Sequence, residues 1–403
     1  MGSVTDVMLE RGHEQVVFVA DRPSGLRAVI AVHSTALGPS LGGVRFWHYG
    51  SDDEAVADVL RLSEAMTLKA AAAGLHQGGG KAVVQWDDPD RARPEALLRA
   101  LGRAIHELGG RYLAAEDVGA TQRDMDLLAL ETPWVTGVDP ALGGSGDPSP
   151  VTAFGVVCAM RAALRRVFGD RDLEGRSVVV QGCGHVGSHV ARLLVAAGAK
   201  VTVADLHAPR VEAVVQELGV SVADAAGVLY EPCDVLAPCA LGGVLSLETA
   251  EALQCRAVVG AANNQLAEDG SGGAGAVDDA LAARGILYAP DFVANAGGII
   301  NIAEEFTGYS RDRAIRAVAR IESRVDECFT MAAAEGVSPG RAAELLARRR
   351  LAAEALPRGR WQPGDPAAWT DGAPLRALRS PVATHEEAPE ARPGQPIAGG
   401  EPA

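Results

Sequence analysis

Several things are scarce in this chain. Aromatic residues make up 4% of its 403 residues, so a core of any size must be built from Ala, Val and Leu, which the 48% apolar fraction supplies. Positive charge is in deficit. The formal net charge is −15, which argues against a broad basic surface and so against nucleic acid as a partner. The six cysteines (Cys158, Cys183, Cys233, Cys239, Cys255 and Cys328) form no CxxC pair, and the nine histidines form no HExxH or similar pairing. Buried reduced thiols and no metal site are therefore expected. No charge-free apolar run is long enough to span a bilayer. The opening residues MGSVTDVMLERGHEQ have no basic start followed by an apolar stretch, and Asp6 stands where acylation at Gly2 would need Ser or Thr. The expectation is a cytoplasmic protein without a membrane partner.

What is present is the patterning of an α/β chain of two-domain length. Residues 15–21 and 27–33 read as strands joined by a turn at Pro23-Ser24-Gly25. Residues 53–73 carry apolar positions at helical spacing. GLHQGGGK breaks that helix, KAVVQW follows as a strand, and a second helix covers about 94–109. The stretch 140–150, PALGGSGDPSP, is rich in Gly, Pro and Ser and reads as a domain boundary. Helix 151–167 follows. VTVAD, DVLAPC, AVVGAA and ILYAPDFVA then read as successive strands of one buried parallel sheet. A long helical region runs from about 299 to 356, and the proline-rich remainder reads as a disordered tail.

Two groups of residues carry chemistry. The strand SVVVQ leads into Gly182-Cys183-Gly184-His185-Val186-Gly187, a helix begins there, and Asp205 followed by Leu206 ends the next strand. A lone GxGxxG is weak, but strand before, helix after and an acid at the next strand end make a dinucleotide site. Gly182 permits the tight turn, Gly184 lets the backbone approach a pyrophosphate, and Gly187 lets the helix close on its strand. Asp205 suits a ribose 2′-hydroxyl and repels a 2′-phosphate, which predicts NAD rather than NADP. The second group is Lys69, Lys81 and Asp117. Lys69 shares a helix face with Leu62, Met66 and Ala73, so a lysine occupies an apolar stripe. Lys81 follows three glycines and starts a buried strand. One ammonium can hold a substrate carboxylate. A second, desolvated and close to another cation, becomes a base near neutral pH. Asp117, in AAEDVG, is placed to relay or orient a proton.

With these residues the chain resembles the glutamate/leucine/phenylalanine/valine dehydrogenase family. The matching segments are LGPSLGGVRFW, MTLKAAAAGLHQGGGKAVV, EDVGATQRDMD, GGSGDPSPVTAFGV, VVVQGCGHVG, APCALGG, GAANNQL and YAPDFVANAGGIINIAEEF, in order over about residues 37–310. The resemblance implies that Lys69 binds the substrate carboxylate, that Lys81 is the general base activating water, and that Asp117 supports proton transfer. It places the Gly43 backbone near the amino group. Asn263 or Asn264 would hold the substrate or the nicotinamide side. Thr152, Ala240 and Asn295 match cofactor-lining positions, and Arg45 is expected to reach the cofactor. Leu41, Ala115, Ile299 and Ile302 would line the side-chain pocket. Bulky Ile299 argues for a short pocket and thus for valine, leucine or isoleucine over phenylalanine or tryptophan. The residues depart from the family pattern at Leu68 (often Tyr), His76-Gln77 (usually Asn-Leu) and Ala120 (often Thr).

The implied fold is α/β with two domains. Residues 1–146 form an N-terminal α/β substrate and oligomerisation domain, and residues 147–329 a Rossmann-type doubly wound dinucleotide-binding domain. Helices over 330–356 pack back towards the first domain, and residues 357–403 form a disordered tail. The implied activity is reversible NAD-dependent oxidative deamination of an L-amino acid to its 2-oxo acid and ammonium, by a homo-oligomer, a dimer or an octamer. A dinucleotide-binding sensor or scaffold without turnover is the competing class, and the retained lysine pair and Asp117 speak against it.

Overall fold

A computed structural model describes residues 3–88, 91–268 and 273–358, with side chains as far as 354. The expected tail lies outside the described residues from 359 onward. The first domain opens with α1 (Val4–Arg11), β1 (Gln15–Asp21), β2 (Leu26–Ser34), β3 (Ser40–Trp47) and α2 (Asp52–Ala72). It continues with β4 (Gly78–Gln85), α3 (Glu95–Glu107), β5 (Tyr112–Glu116) and α4 (Gln122–Ala129). The sheet runs β1-β2-β4-β3-β5. β2 pairs antiparallel with β1 and β4, whereas β3 runs parallel to β4 and β5. The hairpin turns where the Asp21 carboxylate accepts the Ser24 N–H at 3.0 Å, an Asx-type closure.

Helix α2 starts where Ser51 Oγ accepts the Glu54 N–H at 3.2 Å, and Asp52, Asp53 and Glu54 put negative charge in its first turn. Its fully buried face is Val56, Val59, Leu60, Ser63, Thr67, Ala70 and Ala71. The stripe expected from Leu62, Met66 and Lys69 is instead a half-buried flank beside that face, and it is the flank turned to the second domain.

The glycine run was expected to be a break before the strand, yet β4 already begins at Gly78. A Cβ on Gly79 would lie 2.1 Å from the Thr67 backbone nitrogen, and one on Gly42 only 1.7 Å from the Gly80 carbonyl oxygen. Glycine is what lets α2 and β3 close directly onto the backbone of β4.

The second domain contains α5 (Ser149–Phe168), β6 (Ser177–Gln181), α6 (His185–Ala196), β7 (Lys200–Ala204), α7 (Ala208–Leu218) and β8 (Ser221–Val222). Then come β9 (Val235–Pro238), α8 (Leu247–Ala252), β10 (Ala257–Val258), α9 (Gly273–Ala283) and β11 (Leu287–Tyr288). All its strand pairs are parallel, in the order β11-β10-β9-β6-β7-β8. Counted from β6 this is the 3-2-1-4-5-6 order of a doubly wound sheet, with the ligand crevice where β6 meets β9. The strand expected over ILYAPDFVA stops at Tyr288, and α10 (Asp291–Ala294) takes over, because Pro290 cannot extend the ladder and starts a helix instead.

The long helical region is broken into α11 (Gly297–Ala303), a 3-10 turn over Glu304–Thr307, α12 (Arg311–Ala319), α13 (Ile321–Glu335) and α14 (Pro339–Arg358). Gly308 and Gly336, both at positive φ, mark two of the breaks. α14 returns to α2: Arg350 donates to the Ala71 carbonyl at 3.0 Å, and Arg324 of α13 donates to that of Ala72 at 3.4 Å. Two cations thus cap the carboxyl end of the helix that carries Lys69. Among the described residues no helix is long and apolar enough to cross a membrane.

Gly79→Ala tests the close approach. The added methyl has backbone, not a flexible side chain, in its way, so a loss of about 1–3 kcal/mol is expected. Urea denaturation measures it, and an unchanged midpoint would mean that α2 does not rest on the strand as described.

Candidate active site

The chemistry gathers where the two domains meet. Lys81 is almost wholly buried, 4% exposed, and its Nζ lies 2.9 Å from Asp117 Oδ2. Asp117 fits here because Gly43 has no side chain: a Cβ on Gly43 would fall 2.5 Å from Asp117 Cβ. The fully buried Tyr112 steadies this strand by donating its hydroxyl to the Gly42 carbonyl at 2.8 Å. Burial lowers the Lys81 ammonium below its ordinary value, with Asp117 opposing. Burial pushes the Asp117 carboxyl up, but Lys81 and Arg45 outweigh it and hold it below the usual carboxylate range.

Lys69 points across the cleft. Its Nζ donates to Asn295 Oδ1 at 2.8 Å and to Asn263 Oδ1 at 3.3 Å, and Asn295 Nδ2 donates to Asn263 Oδ1 at 2.7 Å. The residue is half-buried by accessible surface, yet the density of protein around its ammonium lowers it to about 8. Asp291 opposes that fall and the neighbouring positive charge of Lys81 adds to it. The two lysines therefore sense each other, and both are biased towards release of a proton.

Asn263 and Asn264, left unseparated by sequence, differ in conformation. Asn263 joins Lys69 and Asn295 through its side chain, whereas Asn264 has φ 51° and its carbonyl accepts the Gly243 N–H at 2.7 Å. It is the turn residue that aims its neighbour. Leu41, Ala115 and Ile299 are buried in one apolar cluster that crosses from the first domain to the second, with Ile302 half-buried against it. Leu68 packs instead with Leu37, Ala71, Ala347 and Leu351. Its departure from the family pattern therefore falls between α2 and α14, outside that cluster.

Arg45, the residue expected to reach the cofactor, is held by two ion pairs. Its Nε lies 2.9 Å from Asp117 Oδ2 and its Nη1 3.0 Å from Asp58 Oδ2, because two carboxylates flank it inside the first domain. Asp58 also accepts the Tyr49 hydroxyl at 2.8 Å and Arg61 at 2.8 Å. Sequence reasoning missed Asp58, although its place eleven residues, three helical turns, before Lys69 puts both on one side of α2. It also missed Asp291, a buried carboxylate that accepts the Gln265 N–H at 2.9 Å and the Phe292 N–H at 2.6 Å. That residue was hidden in a segment read as strand.

The glycine loop has the shape a dinucleotide needs. Gly182 has φ +104°, and a Cβ on it would crowd the Ala240 nitrogen at 2.7 Å; a Cβ on Gly187 would lie 1.9 Å from the Gly182 carbonyl oxygen. At Gly184 a Cβ would meet nothing within 4 Å. The protein's own packing does not require glycine there, and the backbone stands open to a ligand. His185, Val186 and Gly187 open α6, whose N-terminus has no side-chain cap, so its N–H groups are available to phosphate. Asp205 Oδ2 accepts the Cys183 N–H at 2.7 Å, and Leu206 beside it is 91% exposed. Thr152, at the start of α5, abuts Gly298: a Cβ there would lie 2.9 Å from its Oγ1. These residues fit a nicotinamide dinucleotide, with Asn295 linking this side to Lys69.

Residues 13–134 match the family model described as the Glu/Leu/Phe/Val dehydrogenase dimerisation domain, and residues 143–223 and 206–359 match that of the Glutamate/Leucine/Phenylalanine/Valine dehydrogenases. A leucine dehydrogenase of Thermoactinomyces intermedius is 47% identical over 348 residues, 86% of this chain and 93% of the relative. A valine dehydrogenase of Streptomyces coelicolor is 48% identical over 350 residues, 86% of this chain and 94% of the relative. Among solved structures, the L-tryptophan dehydrogenase of Nostoc punctiforme superposes with a TM-score of 0.77 at 36% identity, over 87% of this chain and 99% of that one.

The depressed Lys69 has a measurable signature. Its folded value of about 8 lies below the ordinary lysine value of 10.5, so the unfolded chain binds more protons between those limits and stability rises with pH across them. The penalty for burying the charge is complete below about 8 and fades towards 10.5. Lys69→Met is therefore expected to gain stability relative to the parent most at pH 7, and progressively less by pH 10. Urea midpoints of the pair at both pH values test this; a pH-independent difference would contradict the depressed ammonium.

Proposed function

The chain belongs to the glutamate/leucine/phenylalanine/valine dehydrogenase family, and from that premise we propose that it oxidatively deaminates a branched-chain L-amino acid with NAD. It is an amino-acid dehydrogenase, an oxidoreductase whose substrates are an amino acid and its 2-oxo acid. One arrangement carries the finer reading. Lys81, on a strand of the first domain, pairs with Asp117, and Lys69, on a helix of the same domain and near enough to feel both charges, binds the Asn263–Asn295 pair of the second.

A nicotinamide held beside Thr152 and Asn295 would supply the redox chemistry, as acceptor of the substrate α-hydrogen and its electron pair. The protein supplies placement and protons. Lys69 holds the substrate carboxylate as a point charge, taking the partner now provided by Asn295. The Gly43 backbone faces the amino group. Lys81, neutral in the working state, takes a proton from the water that adds to the substrate imine. Asp117 orients Lys81 and receives hydrogen bonds throughout. Asp205 takes the adenosine ribose, which favours NAD over NADP. Leu41, Ala115, Ile299 and Ile302 enclose an aliphatic side chain. In this reading residues 1–146 also carry the contacts of a homo-oligomer, residues 147–329 hold the cofactor, residues 330–356 brace the first domain, and the enzyme works in the cytoplasm.

A second reading, an aromatic amino acid as substrate, is favoured by the likeness to a tryptophan dehydrogenase. A substrate panel followed by NADH absorbance separates the two. Valine, leucine and isoleucine are expected to exceed phenylalanine and tryptophan by about 10-fold or more in kcat/KM, with NAD preferred over NADP. A reversed order would overturn the branched-chain assignment.

Lys81→Ala is expected to lower kcat by about 100- to 10,000-fold while NADH binding, followed by fluorescence, persists. Turnover at the parental rate would remove Lys81 from the role of base.

A further inference from the structure

Asp117 is contacted by more than the lysine it serves. Two cations end on the same oxygen: Lys81 Nζ and Arg45 Nε each lie 2.9 Å from Asp117 Oδ2. The placement follows from the sheet. Val44 of β3 pairs with Ala82 of β4, so Gly43 lies beside Lys81 and Arg45 is the next residue of β3 on that face. Since Gly43 lacks a side chain, Asp117 occupies the space between the two cations. Arg45 is itself braced from behind. Its other limb meets Asp58 Oδ2 at 3.0 Å, and Asp58 is fixed by Tyr49 at 2.8 Å and Arg61 at 2.8 Å.

We propose that Arg45 is a positioning residue for the base: by sharing Asp117 Oδ2 with Lys81, it limits the carboxylate's grip on the lysine proton. The inference rests on Lys81 being the base and deepens that reading. A buried lysine held by an unshared carboxylate stays protonated, because the ion pair offsets the cost of burying the charge. A second, permanently charged donor on the same oxygen shifts that balance towards neutral lysine. Burial alone would lower the Arg45 guanidinium, but Asp117 and Asp58 outweigh it, so Arg45 stays charged at every pH of interest. The groups around Lys81 act in opposite directions. Asp117 and, more weakly, Asp58 favour the ammonium, while burial and Arg45 favour the amine. Lys69, on α2, adds a further positive charge near it. Tyr112 and Tyr49 face the same carboxylates and stay neutral, since burial raises both well above the ordinary phenol value.

The pH profile of kcat reads this directly. Turnover needs neutral Lys81, so the rate climbs with pH through the lysine's apparent value. Arg45→Gln removes the competing cation and is expected to move that rising limb up by about one pH unit, a tenfold lower rate on the limb. The plateau at high pH and the NADH affinity should be retained, and Arg45→Lys should restore most of the parental profile. Asp58→Asn acts with the opposite sign. It frees Arg45 to lean on Asp117 and removes a negative charge, so the limb moves to lower pH, and this variant serves if Arg45→Gln fails to fold. A limb that stays in place in both variants, or moves the same way in both, overturns the proposal. Parental turnover in Lys81→Ala would instead overturn the base assignment itself. Loss of turnover there, with unmoved limbs in the Arg45 and Asp58 variants, would leave the base in place and remove only Arg45's role.

Discussion

The contact on which the rest depends has no side chains in it. Helix α2 lies against the glycine backbone of β4, and β3 approaches the same strand at Gly42. Had these positions carried even a methyl, the helix would stand farther from the sheet. Lys69 and Lys81 would then stand farther apart, and each would influence the other's proton less. Asp117 depends on the same economy of atoms, since it fills the volume that Gly43 leaves empty. Packing here decides electrostatics: an ammonium and a guanidinium are held on one carboxylate, with a second ammonium nearby, because the backbone beneath them is bare.

The second constraint runs between the domains. Lys69 belongs to the first domain, yet its hydrogen-bond partners, Asn263 and Asn295, belong to the second. In the conformation described, the protein's own amide oxygens solvate an ammonium that is destined for a carboxylate. A substrate must therefore outcompete neutral acceptors with a charged one, a contest that favours the carboxylate. The left-handed turn at Asn264 and the buried Asp291 hold this part of the second domain in place, one through its backbone and the other by collecting N–H groups.

Much of this was legible in the residues. The strand-GxGxxG-helix unit, Asp205, the two lysines and Asp117 each have a chemistry that spacing alone suggests, and α2, α5 and the β1–β2 hairpin follow from periodicity and turn residues. What was not legible was pairing across the chain. Arg45 in isolation is a cation without a named partner; only the fold reveals that Asp117, 72 positions away, accepts from it. The glycine run was read as a break because glycine is poor in strands, and the exception arises where another backbone presses close. Asp291 was lost because Pro290 converts an apolar strand-like run into a helix start. Lys69 was placed on the buried stripe of α2, whereas it stands on the flank turned to the partner domain. That distinction is about one residue's rotation on a helical wheel, and a sequence without a partner surface cannot make it.

The caps on α2 bear on the order in which the molecule can be completed. The last carbonyls of that helix, within three residues of Lys69, are met by Arg324 and Arg350, separated from them by 252 and 279 positions along the chain. During synthesis the first sheet can assemble from local pairings long before those arginines leave the ribosome. Until then the Ala70 and Ala71 carbonyls rest on the Leu75 and Gly74 N–H groups of the local turn alone, and that of Ala72 turns to water. The chemistry of this enzyme is thus finished last although its residues are made early, and a nascent chain released short of Arg350 would have both lysines without the brace that steadies one of them.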